Sequence, residues 1–342
     1  MRNFVYAVLL AAQALSAQAP VLVLPDSSPF ARTSQQIGLT EIEVTYHRPA
    51  VKGRKVWGGL VPYGKVWRAG ANENTVITFS TPVSVGGIAL PAGRYGLHLL
   101  PTATECTVIF SNQSRAWGSY SYDPKEDAAR VQVAPVAAEP VERLLYTFDE
   151  PTESAVTLSL RWGNLRVPIK LEVDTKQTVV RSLRDQLRGI QMFFPEGWIA
   201  AAGWCLRNDV NLDEAMVWTD RSLALRETYS GLNLKAALLE KKGDPKAAEI
   251  LRANALKIAT EAEINLAGYT LLGQKKVEQA IALFQRNVKA HPESWNVYDS
   301  LAEAYAVQGD KAQAIANYRR ALELVKQEEQ RTRIQEELAK LK

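Results

Sequence analysis

A repeat with a spacing of 32–34 residues in the second half of the chain limits the possible folds more than any other feature. Its anchors are four alanines, each followed by apolar residues at helical spacing. They lie 33, 32 and 34 residues apart, at Ala215, Ala248, Ala280 and Ala314. One helical hairpin cannot bury its apolar face alone, so such units stack on their neighbours. The spacing therefore predicts an α-helical solenoid.

The last two copies, "KKVEQAIALFQRNVKAHPES" and "GDKAQAIANYRRALEL", resemble the tetratricopeptide repeat, which has about 34 residues in two antiparallel helices. The earlier copies, "NLDEAMVWTDRSLAL" and "GDPKAAEILRANALKI", match it less closely. Small residues would let paired helices approach, and aromatic residues would fill the gaps between them. The final "RTRIQEELAKLK" predicts a polar capping helix. The resemblance implies a concave groove that binds protein segments.

The first half of the chain alternates between apolar and polar residues, as half-buried strands do. In "IEVTYHRP" the apolar Ile42, Val44 and Tyr46 alternate with polar neighbours. About nine such runs, separated by turn residues, predict an antiparallel β-sandwich. The run "SLRWGNLRVPI" predicts a hairpin with Gly163 and Asn164 as a two-residue turn. The fold class is therefore multidomain β + α, a sandwich followed by the solenoid.

This half resembles a bacterial family called domain of unknown function 2911, over roughly Ser27 to Val173. The resemblance rests on "YHRPAVKGRKVWGGLVPYGKVWRAGANENTVITFSTPVSVGGIALPAGRYGLHLLP", on "WGSYSYDPKED" and on "LRW". It implies an extracytoplasmic β-rich domain that helical repeats often follow. It implies no reaction, because none is assigned to the family.

The N-terminus has the pattern of a secretory signal peptide. Arg2 precedes an apolar run, and Ala17-Gln18-Ala19 fits a cleavage site. We expect a signal peptide at 1–19, a β-sandwich domain at 20–175, a connecting helix or linker at 176–195, and repeats at 196–342. The sequence thus predicts a periplasmic or secreted bacterial protein whose mature chain has no transmembrane segment.

Composition argues against several other classes of function. The net charge of +4 gives no case for nucleic acid binding. The two cysteines, Cys106 and Cys205, fall in different predicted domains, which favours free thiols. The histidines form no metal-binding motif, although His47 and His98 share the polar phase of predicted strands. We therefore predict no metal and no cofactor.

The stretch "GGLVPYGKVWRAGANENT", from Gly58 to Thr75, is the main candidate for a site. It nearly matches a phosphate-binding loop, but Val66 replaces the required hydroxyl residue. Between Glu43 and Glu73, six basic residues are interleaved with aromatic ones and could hold an anion, a glycan or an acidic peptide. We favour a structural loop pinned by its aromatic side chains, with Arg68 and Glu73 paired across a turn at Asn72.

The sequence favours an exported, non-catalytic binding or scaffold protein whose helical repeats hold a protein or peptide. Two alternatives stay open. One is a carbohydrate- or anion-binding module that uses Arg54, Trp57, Trp67, Arg68 and Trp117. The other is a hydrolase or transferase with candidate residues Arg68, Asn72, Glu73 and His98.

Overall fold

The computed structural model describes residues 24–341. The chain divides between Thr178 and Val179 into two compact units, which are described separately. The expected signal peptide, 1–19, lies outside the described residues. Within residues 24–341, no helix is both long and apolar enough to cross a bilayer.

The first unit contains ten antiparallel strands in two sheets. One sheet has six strands in the order β1-β2-β3-β6-β7-β8, and the other has four in the order β5-β4-β10-β9. The strands are β1 (Phe30–Ile37), β2 (Thr40–His47), β3 (Val76–Phe79), β4 (Val83–Val85), β5 (Ile88–Leu90), β6 (Gly93–Pro101), β7 (Cys106–Ser111), β8 (Asp127–Val133), β9 (Val136–Asp149) and β10 (Ala155–Glu172).

The six-stranded sheet has one face in the core and one face outside it. Ile42, Val44 and Tyr46 of β2 are buried, as their alternation predicts. They belong to one apolar cluster that draws residues from both sheets. Tyr46 packs edge-on against Tyr146 at 4.7 Å between ring centroids, and the Tyr46 hydroxyl accepts a hydrogen bond from the Tyr146 backbone N–H. The predicted β-sandwich is confirmed.

The predicted hairpin at Gly163 and Asn164 is wrong. Strand β10 runs through both residues without turning and pairs with β9 on either side of them. Gly163 has φ +59°, and the register of β10 against β9 shifts on both sides of it. This pattern is an irregularity of the β-bulge type, with extra residues on β9 opposite Gly163, where the sequence suggests a turn. Two long strands, β9 and β10, therefore replace several of the short strands expected.

A long connection, residues 48–75, joins β2 to β3 and contains the loop singled out in the sequence. Val56, Trp57, Val61 and Ala69 from this connection are buried in the sandwich core. The loop is thus held by its own apolar anchors, as long ordered loops require.

The second unit is helical. Its helices are α1 (Thr175–Gln186, of which residues from 179 belong here), α2 (Pro195–Asn208), α3 (Leu212–Leu225), α4 (Tyr229–Lys241), α5 (Pro245–Ile258), α6 (Glu261–Gly273), α7 (Val277–Ala290), α8 (Trp295–Gln308), α9 (Lys311–Leu324) and α10 (Glu328–Lys340). From α2 to α9 they form four hairpins, and α10 packs on α9. The expected solenoid is confirmed, and α10 lies where the sequence predicts a capping helix.

The four repeat alanines lie near the start of the second helix of each hairpin, and all four are fully buried. Gly268 on α6 faces the buried Phe284 ring on α7, and a Cβ added there would lie 2.4 Å from that ring. The expected pairing of small residues with aromatic ones therefore holds at this hairpin.

Most of the buried apolar residues of the second unit form three clusters. One is centred on α2 and α3, one on α7 and α8, and one on α8 to α10. Helix α5 contributes to none of these clusters, although its Ala248 and Ala255 are buried. The continuous apolar packing of the solenoid is thus interrupted between the second and third hairpins.

Gly268→Ala should destabilise the second unit by about 1–3 kcal/mol, because the added methyl group overpacks the helix pair. Gly273→Ala, at the end of the same helix, is the control, since a Cβ there meets nothing within 4 Å. It should be neutral or stabilise by about 0.5–1 kcal/mol. Chemical denaturation measures both. Equal effects would contradict the close packing assigned to Gly268.

Candidate functional site

A cleft of about 520 Å³ lies on the outer face of the six-stranded sheet. We call it the His47 cleft. The residues that define its chemistry come from five separate parts of the chain. They are Phe30, His47, Glu73, Asn74, Arg94 and Arg115.

Strand pairing brings these residues together. Thr45 of β2 pairs with Val76 of β3, which in turn pairs with Gly96 of β6. Phe30 of β1 pairs with His47, and their rings contact edge-on at 5.5 Å. Side chains two residues apart share a face, so the polar phase of β2 and β6 lies on one surface. The segment after β7 supplies Arg115.

A histidine and two carboxylates meet at one wall of the cleft. His47 Nδ1 lies 3.3 Å from a carboxylate oxygen of Glu73. His47 Nε2 lies 3.9 Å from a carboxylate oxygen of Asp26, and the Asn72 side-chain amide donates to that same oxygen at 2.6 Å. Asn72 adopts the left-handed conformation, with φ +55°. The candidate residues Asn72 and Glu73 thus join a network around His47.

The floor of the cleft contains a polar atom that lacks a partner. Asn74 is only 6% exposed. Its amide nitrogen donates to the Gln113 carbonyl at 3.2 Å, whereas its Oδ1 is buried with no hydrogen-bond partner in the described part of the chain. An unpaired buried acceptor is costly, typically about 1–3 kcal/mol. Asn74 Oδ1 is therefore an unsatisfied acceptor beneath the floor of the cleft.

Two arginines at this cleft are free of carboxylate partners. Arg94 and Arg115 are both exposed, and neither forms an ion pair within residues 24–341. Sequence reasoning missed Phe30, Asn74, Arg94 and Arg115. The position of Arg94 on the polar phase of "GRYGLHLL" was the available signal. Arg94 and Asn74 line the same cleft because β3 pairs with β6, and no local motif shows this pairing.

A second, smaller recess of about 200 Å³ surrounds Arg68, between Val66, Trp67, Ser119 and Tyr120. The Arg68 Nε is buried and has no hydrogen-bond partner among the described residues. Its guanidinium carbon lies 5.8 Å from the centre of the Tyr120 ring. The expected pairing of Arg68 with Glu73 is wrong.

The local backbone explains this difference. A Cβ at Gly118 would lie 2.2 Å from a guanidinium nitrogen of Arg68, so the glycine leaves the space that the arginine fills. Gly118 itself has φ +67°, a conformation that favours glycine. Arg68 therefore turns towards 118–120, and Glu73 turns towards His47.

His98 is buried beneath the segment that follows β7. It is 2% exposed, and its Nδ1 shares a 2.8 Å hydrogen bond with the Ser119 hydroxyl. Burial lowers the pKa of His98 to about 4, against a small opposing effect of Asp127. The imidazole is neutral at neutral pH and is a weak proton acceptor. No group of three potential metal-ligating side chains occurs between residues 24 and 341, so His98, His47 and Glu73 do not form a metal site.

The loop aromatics do not form an exposed row. Trp57 is 7% exposed, and its indole N–H donates to the Trp162 carbonyl. Trp67 stacks on Trp162 at 5.7 Å and meets Trp57 edge-on at 5.9 Å. Trp117 is 61% exposed. The Trp57 ring thus belongs to the sandwich core, whereas Trp67 is half-buried against that core and also lines the recess around Arg68, and Trp117 is exposed.

Arg54 and the two cysteines have roles within the fold, because Arg54 bonds to its own turn and both cysteines are buried. The Arg54 side chain donates to the carbonyls of Val51 and Ala50, which stabilises its own turn. Cys106 and Cys205 are both free and buried. Burial raises the pKa of the Cys106 thiol to about 12, so it is an inert thiol.

The second unit contains a groove of about 490 Å³ formed by four consecutive helices, which we call the α4–α7 groove. Leu266, on α6, is 71% exposed within it. The groove coincides with the interruption of the apolar clusters between the second and third hairpins. A recess of about 620 Å³ near α1 and α3 is larger, but its Arg184 and Glu214 already pair with each other at 2.7 Å.

These features define a two-domain protein with an antiparallel β-sandwich and a tetratricopeptide-like helical solenoid. Residues 28–171 match a family model described as "Protein of unknown function (DUF2911)". The resemblance noted in the sequence is thereby confirmed for the first domain. A search of curated proteins finds no match.

Solved structures with tetratricopeptide-like helices are similar to the helical part. PilF of Pseudomonas aeruginosa is 20% identical, with coverage of 43% of this chain and 67% of that chain and a TM-score of 0.28. MamA from Desulfovibrio magneticus RS-1 is 18% identical, with coverage of 45% and 84% and a TM-score of 0.29. YrrB, described as "a TPR protein with an unusual peptide-binding site", is 15% identical, with coverage of 42% and 75% and a TM-score of 0.26.

Acid should destabilise the first unit through His98. The folded pKa of about 4 lies below the unfolded value of about 6.5, so the unfolded chain binds more protons between these values. The contribution of His98 is complete above about pH 6.5 and is lost as pH falls towards 4, by at most about 3 kcal/mol. His98→Gln should flatten this pH dependence.

Urea unfolding between pH 4.5 and 7.5, at about half-unit steps, measures the slope of the unfolding free energy against pH. His291→Gln, which changes a histidine in the second unit, is the control and should keep the wild-type slope. A His98→Gln protein with an unchanged slope would contradict a neutral, buried His98.

Proposed function

We propose that this is an exported, non-catalytic protein whose helical repeats bind an extended peptide segment of a protein partner. The observation that supports this most strongly is the α4–α7 groove, where an exposed leucine lies at a break in the apolar packing of the solenoid. An apolar recess of this kind is a common feature of ligand- and partner-binding surfaces.

The charges of the groove are already paired within the chain. Arg252 forms an ion pair with Glu240. Glu263 accepts a hydrogen bond from the Thr260 backbone N–H in a capping box. The groove therefore favours an uncharged ligand surface. We expect an apolar side chain of the peptide to pack on Leu266 and its leucine neighbours Leu256, Leu271 and Leu283.

Polar side chains beside this apolar surface suit a peptide backbone. Tyr229 and Asn233 from α4 and Thr270 from α6 line the same groove. An extended segment exposes N–H and C=O groups between its side chains, and hydroxyl and amide groups can bond both kinds. This combination favours a peptide over a purely apolar ligand such as a lipid chain.

Leu266→Glu should weaken peptide binding by about tenfold or more, because it places a charge on the apolar surface. The probes are peptides selected from a random displayed library with the full chain and measured by fluorescence anisotropy. Ile250→Glu is the control, since Ile250 is 63% exposed on α5 and does not line the groove. It should change the dissociation constant by less than about twofold.

Two results would contradict the proposal. One is that no peptide is selected by the full chain. The other is that Leu266→Glu and Ile250→Glu bind the selected peptides equally well. Thermal unfolding of both variants checks that a loss of binding does not come from unfolding of the solenoid.

Export is proposed from the sequence alone, through the signal-like segment with its Ala17-Gln18-Ala19 site. Fractionation followed by N-terminal sequencing tests it. We expect an extracytoplasmic protein that begins at Gln18 or Pro20, whereas Leu10→Arg should block processing by placing a charge in the apolar run. Arg2→Lys keeps the positive charge and is the control. A cytoplasmic protein that retains Met1 would contradict export.

A further inference from the structure

We propose that the His47 cleft binds an acidic sugar, a uronic acid unit of a polysaccharide or oligosaccharide. This ligand site is separate from the peptide groove and does not depend on the proposed function. It also differs from the glycan site expected from the sequence, because Trp57 is a core residue, Trp67 packs against that core, and neither lines the cleft.

The carboxylate of the ligand has a natural partner in the unpaired arginines. Arg94 and Arg115 line the cleft, are exposed and form no ion pair in the described part of the chain. Guanidinium groups bind carboxylates through paired, charge-assisted hydrogen bonds. The two cations therefore favour a ligand with a negative charge.

The hydroxyl groups of the ligand find acceptors at the floor and wall. Asn74 Oδ1 has no partner within residues 24–341, and because it is buried beneath the floor of the cleft, a ligand hydroxyl can donate to it only after the Asn74 side chain turns towards the cleft. The Glu73 carboxylate, whose side chain is 54% exposed, is a second acceptor beside it. A simple anion such as phosphate or acetate would satisfy the arginines and leave Asn74 unpaired. The cleft thus suits a ligand that carries both a carboxylate and hydroxyl donors.

An apolar surface is available for the sugar ring. Phe30 is 59% exposed at the cleft, and its position is fixed by the edge-on contact with His47. Binding pockets commonly combine aromatic side chains with a few placed polar groups. The C–H face of a pyranose ring can pack on such an exposed phenyl ring.

An acidic peptide fits this cleft less well. Peptides that bind β-proteins commonly add a strand to a free sheet edge. Apart from Phe30 at the start of the edge strand β1, the cleft instead lies on the face of the sheet, over β2, β3 and β6, whose backbone groups pair with strands on both sides. A peptide backbone would therefore lack main-chain partners there.

Isothermal titration calorimetry on the full chain tests the proposal. The probes are tetramers of galacturonate, glucuronate and mannuronate, with maltotetraose as the neutral sugar and acetate and inorganic phosphate as simple anions. We expect at least one uronate tetramer to bind more tightly than maltotetraose and than either anion. Arg94→Gln and Arg115→Gln should each weaken that binding by about tenfold or more.

The control is Arg32→Gln, because Arg32 is an exposed arginine of the same unit that pairs with Glu43 and does not line the cleft. It should leave the affinity unchanged. Asn74→Ala removes the unpaired acceptor and should lower the preference for uronates over acetate. Because Asn74 is buried, circular dichroism checks that the Asn74→Ala variant still folds. The Arg94 and Arg115 variants change exposed residues and test the site independently of Asn74→Ala.

Several results would overturn the proposal. They are the absence of binding by all three uronate tetramers, equal binding of acetate or phosphate, and an affinity that is unchanged in both cleft arginine variants. Tighter binding of an aspartate- and glutamate-rich peptide that depends on Arg94 would also overturn it in favour of a peptide site.

Discussion

The core strands and the helical hairpins between residues 24 and 341 have apolar surfaces that only neighbouring elements can cover. In the first unit, the four-stranded sheet covers the inner face of the six-stranded sheet, and the contact of Tyr46 with Tyr146 lies at that interface. The inner face is thereby filled, and the outer face is left to carry the His47 cleft. In the second unit the same constraint is met by stacking, with Gly268 and Phe284 as a close contact.

We propose binding sites at the two places where polar or apolar groups are left without a partner in the protein. The unpaired Asn74 Oδ1 lies beneath an open cleft, and Leu266 is exposed where the apolar clusters are interrupted. Both features cost free energy in the unbound protein, through an unsatisfied acceptor in one case and exposed apolar surface in the other. A ligand that satisfies either feature gains that free energy on binding.

The sequence predicted most of the fold, because periodicity directly reports which face of an element is buried. The alternation of apolar and polar residues placed Ile42, Val44 and Tyr46 in the core. The spacing of the four alanines predicted the equivalent position in each helical hairpin. The prediction failed at Gly163, because a glycine with positive φ serves a bulge as well as it serves a turn, and only the pairing of β9 with β10 distinguishes the two.

The candidate sites were less predictable, because side-chain partners depend on contacts distant in sequence. Arg68 and Glu73 are five residues apart, yet Gly118 makes room for one and His47 attracts the other. Asn74 and Arg115 lie in one cleft only because β3, β6 and β7 pair in order. A local sequence motif does not show which strands pair. Trp57 and Trp67 were therefore predicted as candidate ligand residues, although one lies in the core and the other packs against it.

The central claim is that two units, each closed by its own apolar core, make up this protein. Scanning calorimetry of two overlapping fragments, 24–178 and 175–342, tests it most directly, since the overlap keeps α1 complete in the second fragment. We predict that each fragment unfolds in one cooperative transition, as an independent core requires. If neither fragment shows a cooperative transition while the full chain does, the division into two self-sufficient units is wrong.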